Sequence, residues 1–249
     1  MRAITHREAP ELLDRVEGLS AEVWPEYNLH GDVMNRYWGR LYEVFPDFQF
    51  VLYDDAADAV LAEGHTIPCP WDGSAGGLPA GIDGAIEAGF AASDAGAPAG
   101  ALCALAIEIP PANQSRRLSP VMLSAMASIA ARNGLPSVIA PIRPTWKERY
   151  PLTPIEEYAR WTRADGLPFD PWMRVHVRLG ARVLKPEPQS LLITGTVSEW
   201  ERWTGMAFPA SGDYVFPQGL APVSIDRDAD RGTYWEPNIW MEHPVEPAK

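Results

Sequence analysis

Between Ala99 and Ile142 the chain reads AGALCALAIEIPPANQSRRLSPVMLSAMASIAARNGLPSVIAPI. Ala99 to Ile109 is almost continuously apolar, which is typical of a strand covered on both faces, and Pro110-Pro111 stops it. From Leu118 to Asn133 the apolar residues recur at intervals of three and four, which predicts a helix. Ser137 to Ile142 is a second short apolar strand. The stretch therefore predicts a strand, helix, strand unit whose strands lie parallel.

Weaker patterns surround this unit. Residues that favour strands predict a hairpin of Phe48 to Tyr53 and Val60 to Ile67, and the Pro, Gly and Ser content of Cys69 to Pro79 predicts a loop. The tail from Phe208 to Pro244 mixes Pro, Gly, Asp and Trp and allows no assignment. The other predicted elements are helices at Pro10 to Leu19, Asp32 to Phe45, Ala80 to Ser93, Pro154 to Asp165 and Asp170 to Leu179, and strands at Ala3 to Arg7 and Leu191 to Trp200. Without a visible repeat or linker, residues 1–249 are expected to form one domain with an extended Pro- and Trp-rich C-terminal segment.

The composition argues against several classes of protein. Lys plus Arg number 21 against 33 Asp plus Glu, a formal charge of -12, so nucleic acid and anionic membranes would be repelled. The same balance is compatible with an amine substrate, although many enzymes are acidic only for solubility. The two cysteines, Cys69 and Cys103, suit neither a disulfide framework nor a clustered metal site. With no apolar run of membrane-spanning length, a cytoplasmic protein is expected.

The junction between the first buried strand and the helix carries a motif. Ile107-Glu108-Ile109 ends the strand, and Gln114-Ser115-Arg116-Arg117-Leu118-Ser119 leads into the helix. The junction resembles the pyrophosphate-binding motif of the GNAT acyltransferase superfamily, which reads Gln or Arg, two residues, Gly, one residue, then Gly or Ala. Gln114 matches its first position, whereas Arg117 and Ser119 stand at the small-residue positions. Backbone N–H groups at a helix start suit a pyrophosphate, and Arg117 either crowds its approach or contacts a phosphate.

Two residues are candidates for catalysis. Met173 to Arg182 resembles the end of the family's fourth helix, and alignment on Leu179-Gly180 puts His176 where the family has a tyrosine that often protonates the departing CoA thiolate. A histidine can do the same, or it can simply pack between helix and sheet. Glu108 is a carboxylate in an apolar strand, where some GNAT proteins place the base for the attacking amine. Alternatively its side chain reaches solvent or pairs with Arg143.

Two polar and aromatic segments are the predicted walls of an acceptor pocket. Trp24 to His30 lies between the first two predicted helices, a region that in GNAT proteins commonly covers the acceptor, and His65 to Gly73 leaves the hairpin towards the same end of the sheet. Each segment equally suits a structural loop pinned by its tryptophan. The five histidines are scattered, so we expect no metal site. The candidate substrate-binding residues are Trp24, Glu26, Tyr27, His30, His65, Trp71 and Asp72.

The resemblance covers roughly Val60 to Trp200 and implies an α/β protein with a GNAT-like splayed mixed β-sheet flanked by helices. It implies transfer of an acyl group from acetyl-CoA or another acyl-CoA to an amine, or less often a hydroxyl, of a small-molecule or peptide acceptor. A homodimer is compatible with it. Two alternatives stay open: a cofactor-free GNAT-like ligand-binding or partner protein, which Arg117 favours, and a GNAT-like enzyme of another reaction, such as decarboxylation of an acyl-CoA.

Overall fold

A mixed β-sheet is the centre of the computed structural model, which describes residues 1–246. The sheet runs in the order β1-β2-β3-β4-β5-β9-β8-β7, and β6 pairs with β9. Among these strands β4 and β5 pair in parallel and all other neighbours are antiparallel. The strands are β1 (Arg2–Thr5), β2 (Gln49–Asp54), β3 (Ala59–Cys69), β4 (Ala101–Glu108), β5 (Ser137–Ile142), β6 (Arg182–Gly195), β7 (Gly212–Tyr214), β8 (Val223–Asp226) and β9 (Arg231–Pro244).

The predicted strand, helix, strand unit is confirmed. β4 leads through a short 3-10 turn (Pro111–Arg116) into the long helix that we label α5, and this helix returns the chain to β5. Because side chains alternate across a strand, Leu102 and Val138 pack against α5, whereas Cys103 and Ile139 belong to the core on the opposite face. Both strands are therefore covered on both faces, as their apolar sequences indicate.

Helices lie on both faces of the sheet. Alternating apolar and small residues in α4 cover the face that carries Cys103, and α5 covers the face that carries Leu102. The α-helices within residues 1–246 are α1 (Leu19–Val23), α2 (Met34–Tyr37), α3 (Leu41–Val44), α4 (Gly81–Ala95), α5 (Ser119–Arg132), α6 (Ile155–Tyr158), α7 (Pro171–Arg178) and α8 (Val197–Thr204).

Several predicted helices are shorter than the sequence pattern indicates. The helix expected from Pro10 is a 3-10 turn (Pro10–Arg15), and Gly18, with a φ of 80°, separates it from α1. The helix expected from Asp32 to Phe45 is broken into α2, a 3-10 turn (Trp38–Arg40) and α3. Short turns of this kind take most of their stability from the buried side chains on one face, so apolar spacing alone overestimates their length.

The C-terminal third differs most from the prediction. The strand expected at Leu191 to Trp200 ends at Gly195, and a helix begins after Thr196, whose side chain forms a capping box with Glu199. The unassigned tail contains β9, which pairs with β5 through Ile239 to Pro244 and with β6 along most of its length. Of the described helices, none has the length and apolar character to cross a membrane.

Candidate active site

The site lies where two neighbouring strands of the sheet separate. β4 and β5 are paired only at Leu102 with Val138 and at Cys103 with Ile139. Beyond these residues β5 continues along β9, and Pro141 supplies no backbone N–H to any neighbour. A cavity of about 570 Å³ fills the gap and is lined by both diverging strands, from Ala104 to Ile109 and from Ala140 to Arg143.

The cavity reaches both faces of the sheet. On the face covered by α5 and α7 its walls include Gln114, Ser119, Trp172 and His176. On the opposite face, the wall is formed by α1, the following 3-10 turn, α2, α4 and β6. The residues of that second wall are Ser20, Val23, Trp24, Asn28, Leu29, Met34, Asn35, Trp38, Ile82 and Leu191. One continuous space therefore connects the start of α5 with a largely apolar compartment that also carries polar and aromatic side chains.

Glu108 is the buried carboxylate at the centre of this compartment. Its side chain has no solvent exposure, and it accepts hydrogen bonds from Ser20 Oγ at 2.9 Å and from Trp24 Nε1 at 2.7 Å. Neither alternative from the sequence is observed, because the side chain does not reach solvent and Arg143 pairs with Glu236 instead. A carboxylate held by neutral donors keeps its negative charge available to a bound cation.

His65 and Glu63 extend this charged group away from the cavity. Glu63 lies directly opposite Glu108 in the β3–β4 pairing, and His65 Nε2 is 3.7 Å from Glu63 Oε1 and 4.0 Å from Glu108 Oε2. Burial alone would lower the pKa of His65, but the two carboxylates outweigh burial and raise it. Two carboxylates thus face a single imidazole, and this excess of acidic groups favours a cation beside Glu108.

Glu63, His65 and Glu108 could also bind a metal ion, because one possible ligand atom from each lies within 4.8 Å of the others in the described structure. Their neighbours favour an ion cluster instead. Tyr42 donates its hydroxyl to Glu63 at 2.7 Å, and Trp24 and Ser20 occupy the oxygens of Glu108. We therefore assign the cluster to charge and proton chemistry.

A second carboxylate closes the cavity on the β9 side. Glu236 is 2% exposed and receives Arg143 Nε at 2.9 Å, Asn28 Nδ2 at 3.1 Å, Tyr234 Oη at 3.1 Å and Tyr27 Oη at 3.3 Å. This full set of donors, one of them a guanidinium, neutralises the buried charge. Glu236 is thus a structural anchor that holds β5, β9 and the turn at Glu26–His30 together at the floor of the site.

The predicted cofactor-binding segment is divided between the cavity and the surface. Ile107, Glu108, Ile109, Gln114 and Ser119 line the cavity. The N-terminus of α5 has no side-chain cap, which leaves backbone N–H groups available to an anion. The remaining members lie outside the cavity wall: Ser115 is exposed, Arg116 lies 3.5 Å from Asp54, Arg117 is exposed and Leu118 is buried in the core under α5.

Arg117 occupies the position of the motif's glycine and adopts a conformation that favours glycine. Its φ of 56° lies in the left-handed region, which costs a residue with a Cβ atom roughly 1 kcal/mol. Arg117 is exposed, which places its guanidinium beside the start of α5.

Arg117→Gly should raise the free energy of unfolding by about 0.5–1 kcal/mol, because glycine adopts this conformation without the steric cost but orders a more flexible chain. Urea denaturation measures the change. Arg116→Gly is the matched control, since Arg116 lies within the 3-10 turn at negative φ and should lose stability. A loss of stability in both variants would contradict the argument.

His176 lies in α7 on the cofactor side of the cavity. Its side chain is 1% exposed, its ring meets Trp172 edge to face, and Nδ1 is 2.8 Å from Nε2 of His243. Nε2 has no hydrogen-bond partner among the described residues. Burial and, to a smaller extent, the neighbouring His243 lower the pKa of His176 to about 3, so the ring is neutral at physiological pH.

The structure brings only some of the predicted acceptor residues to the cavity. Trp24 lines it, and His65 lies behind Glu108. Tyr27 is buried beneath the floor, where its hydroxyl reaches Glu236. Glu26 and His30 pair with each other at 3.1 Å, and His30 stacks on Trp203 outside the cavity.

Trp71 and Asp72 are not brought to this site. β3 runs antiparallel to β4, so that Cys69 lies opposite Ala101, seven residues or about 23 Å of strand from Glu108. The chain therefore leaves β3 at the opposite end of the sheet from the one expected. There Trp71 bonds the carbonyl of Ser74, and the exposed Asp72 accepts from the backbone N–H of Ser74.

Sequence reasoning missed the residues that reach the site from the tail and from short turns. Glu236 and Asn238 come from β9, Ser20 comes from α1, and Trp38 comes from the 3-10 turn between α2 and α3. The alternation of buried residues along β9 was the available signal for this strand. Pro237 and Asn238 interrupt that alternation.

Comparisons with known proteins agree with this geometry. No known protein-family profile matches the chain. The chain is 27% identical over 252 residues to the arginine N-acetyltransferase avaD of Aspergillus versicolor, covering 90% of this chain and 86% of the relative. The loading GNATL domain of CurA from Lyngbya majuscula superimposes with a TM-score of 0.60 at 17% identity, covering 98% of this chain and 96% of that one.

A second solved structure, the GphF GNAT-like decarboxylase in complex with isobutyryl-CoA, gives a TM-score of 0.59 at 17% identity over 99% of this chain and 100% of that one. At this identity the two structures establish the fold. The sheet order and the separated β4 and β5 give this chain the fold of the GNAT proteins, as the strand, helix, strand unit predicts, and the chain is similar in sequence to a curated N-acetyltransferase.

Proposed function

We propose that the protein transfers an acyl group, typically acetyl, from acyl-CoA to the amine of a small cationic acceptor. The observation that carries the proposal is the single cavity that passes between β4 and β5 and joins an uncapped helix start on one face to a buried carboxylate on the other. Such an opening in the sheet lets a thioester bound on one face and an amine bound on the other approach each other.

The residues of the cofactor side fit acyl-CoA, which supplies an activated thioester. Beyond Cys103 the backbone of β4 has no strand partner on its β5 side, so its polar groups are free to bond an extended pantetheine and to polarise the thioester carbonyl. The N–H groups at the start of α5, with Gln114 and Ser119 beside them, suit the pyrophosphate. Exposed Arg116 and Arg117 add positive charge near this helix start.

On the other face Glu108 is the proposed base. A cationic acceptor must lose a proton before its nitrogen can attack, and Glu108 is the cavity carboxylate without a guanidinium partner. His65 and Glu63 set the net negative charge around it, which attracts the ammonium form. Trp24, Trp38 and the polar groups of Asn28 and Asn35 would hold the acceptor's remaining atoms.

The acceptor to test first is arginine, because the relative that is 27% identical carries that substrate in its name. The acidic compartment fits an acceptor with a second cationic group. We further propose that the protein acts in the cytoplasm, where buried Cys69 and Cys103 stay reduced, and a homodimer remains a prediction.

Calorimetry with acetyl-CoA and with CoA, followed by acetylation assays on arginine, lysine, ornithine and agmatine, tests this function. We expect binding of both nucleotides and acetylation of at least one of these cationic amines, and N-acetylarginine should bind as product. Absence of binding at millimolar acetyl-CoA would overturn the proposal and leave the cofactor-free alternative.

A further inference from the structure

Two histidines form a connected pair between the cavity and the surface. His176 lines the cavity, and its Nδ1 bonds Nε2 of His243 at 2.8 Å. His243 stands on β9 and is partly exposed, and its Nδ1 has no hydrogen-bond partner in the part of the chain that the structure describes. The pair therefore connects a partly exposed ring on β9 with a ring that lines the cavity, and Nε2 of His176 has no hydrogen-bond partner among the described residues.

The surroundings of the pair leave this connection free. Glu242 is the charged neighbour of His243, but its oxygens accept from Ser137 Oγ and Arg182 Nε. On the α7 side the ring of His176 meets the uncharged Trp172. No carboxylate among residues 1–246 bonds either imidazole, so the hydrogen bond between them has two neutral rings as its partners.

His176 cannot act as a simple imidazolium acid. Burial first, and His243 second, lower its pKa to about 3, and burial also lowers the pKa of His243. A neutral imidazole is too weak an acid to give up its N–H unless its other nitrogen gains a proton at the same time. The partner at Nδ1 decides whether His176 can donate at all.

We propose that His243 is a proton relay residue for His176. The relay rests on the proposed acyl transfer, in which the leaving thiolate must be protonated. His176 donates its Nε2 proton to the thiolate sulfur, its Nδ1 takes the Nε2 proton of His243, and Nδ1 of His243 takes a proton from a water molecule, which leaves as hydroxide. One S–H bond forms, and each ring ends neutral with its proton on the other nitrogen. Both rings then return to their starting tautomers, which completes the cycle.

His243→Gln tests the relay against a purely structural role. The Gln side chain places an N–H donor close to the position of Nε2 and so keeps the bond to His176, but an amide cannot pass a proton on. We expect kcat with acetyl-CoA and the best amine to fall about a hundredfold, with the KM for acetyl-CoA unchanged. His243→Ala should lose as much and recover part of its rate with added imidazole. Unchanged kcat in His243→Gln would overturn the relay.

A measurement on the wild-type protein separates this inference from the acyl-transfer proposal. In ¹⁵N-histidine NMR spectra, His176 should carry its proton on Nε2, and its unprotonated Nδ1 should accept the proton of His243 Nε2. A proton on Nδ1 of His176 would overturn the relay, because Nε2 would have none to deliver. The tautomer is measured without substrate. The test of the relay therefore does not depend on whether any amine is acetylated.

Discussion

Glu108→Gln should lower kcat about a hundredfold or more while leaving the dissociation constant for acetyl-CoA nearly unchanged. The amide keeps the shape of the side chain and an oxygen that accepts from Trp24 Nε1, but it cannot take a proton from the acceptor. Its Nε2 also faces the hydroxyl of Ser20, which can turn to accept. Steady-state kinetics with saturating amine and calorimetry with acetyl-CoA measure the two effects separately.

Ser20→Ala is the matched control for this substitution. It removes the hydroxyl donor from Glu108 but leaves the carboxylate and the bond from Trp24, so kcat should change less than tenfold. If Glu108→Gln stays folded and retains full kcat, Glu108 is not the base. In that case the dependence of kcat on pH should be the same in Glu108→Gln and in the wild type.

The central unit of the fold was predictable because its pattern is local. The pattern that predicts each strand, or a helix with three- and four-residue spacing, lies within the residues of that element. The strand Ser137–Ile142 was predicted to the residue. The junction motif was informative for a physical reason as well. Arg117 stands at the position of the motif's glycine, and its backbone adopts the left-handed conformation that glycine adopts most readily.

The rest of the site depends on contacts between distant segments, which periodicity does not encode. Glu236 reaches the floor through β9, and its hydrogen-bond partners Asn28 and Tyr27 come from a 3-10 turn some 208 residues earlier in the chain. Trp71 was misplaced because the direction of β3 relative to β4, and not its composition, decides which end of the sheet it reaches. The capping box of Thr196 and Glu199 was a readable local signal for α8.

The burial of a neutral His176 should also make the protein sensitive to acid. Its pKa is about 3 in the folded protein against an ordinary value of 6.5, so the unfolded chain binds one more proton between these pH values. The stability that neutral His176 contributes is fully present above pH 6.5 and is lost as the pH falls towards 3. The expected slope is about 1.4 kcal/mol per pH unit.

His176→Asn isolates this contribution from that of the carboxylates. Asparagine does not titrate, and its side-chain oxygen lies near the position of Nδ1, where it can accept the N–H of His243. Urea denaturation at pH 8 sets the baseline difference between the two proteins. Between pH 6.5 and 4.5 the wild type should lose about 2–3 kcal/mol more than the variant. Parallel losses would mean that His176 is charged or exposed in the folded protein, and a neutral ring would then no longer be available to the relay through His243.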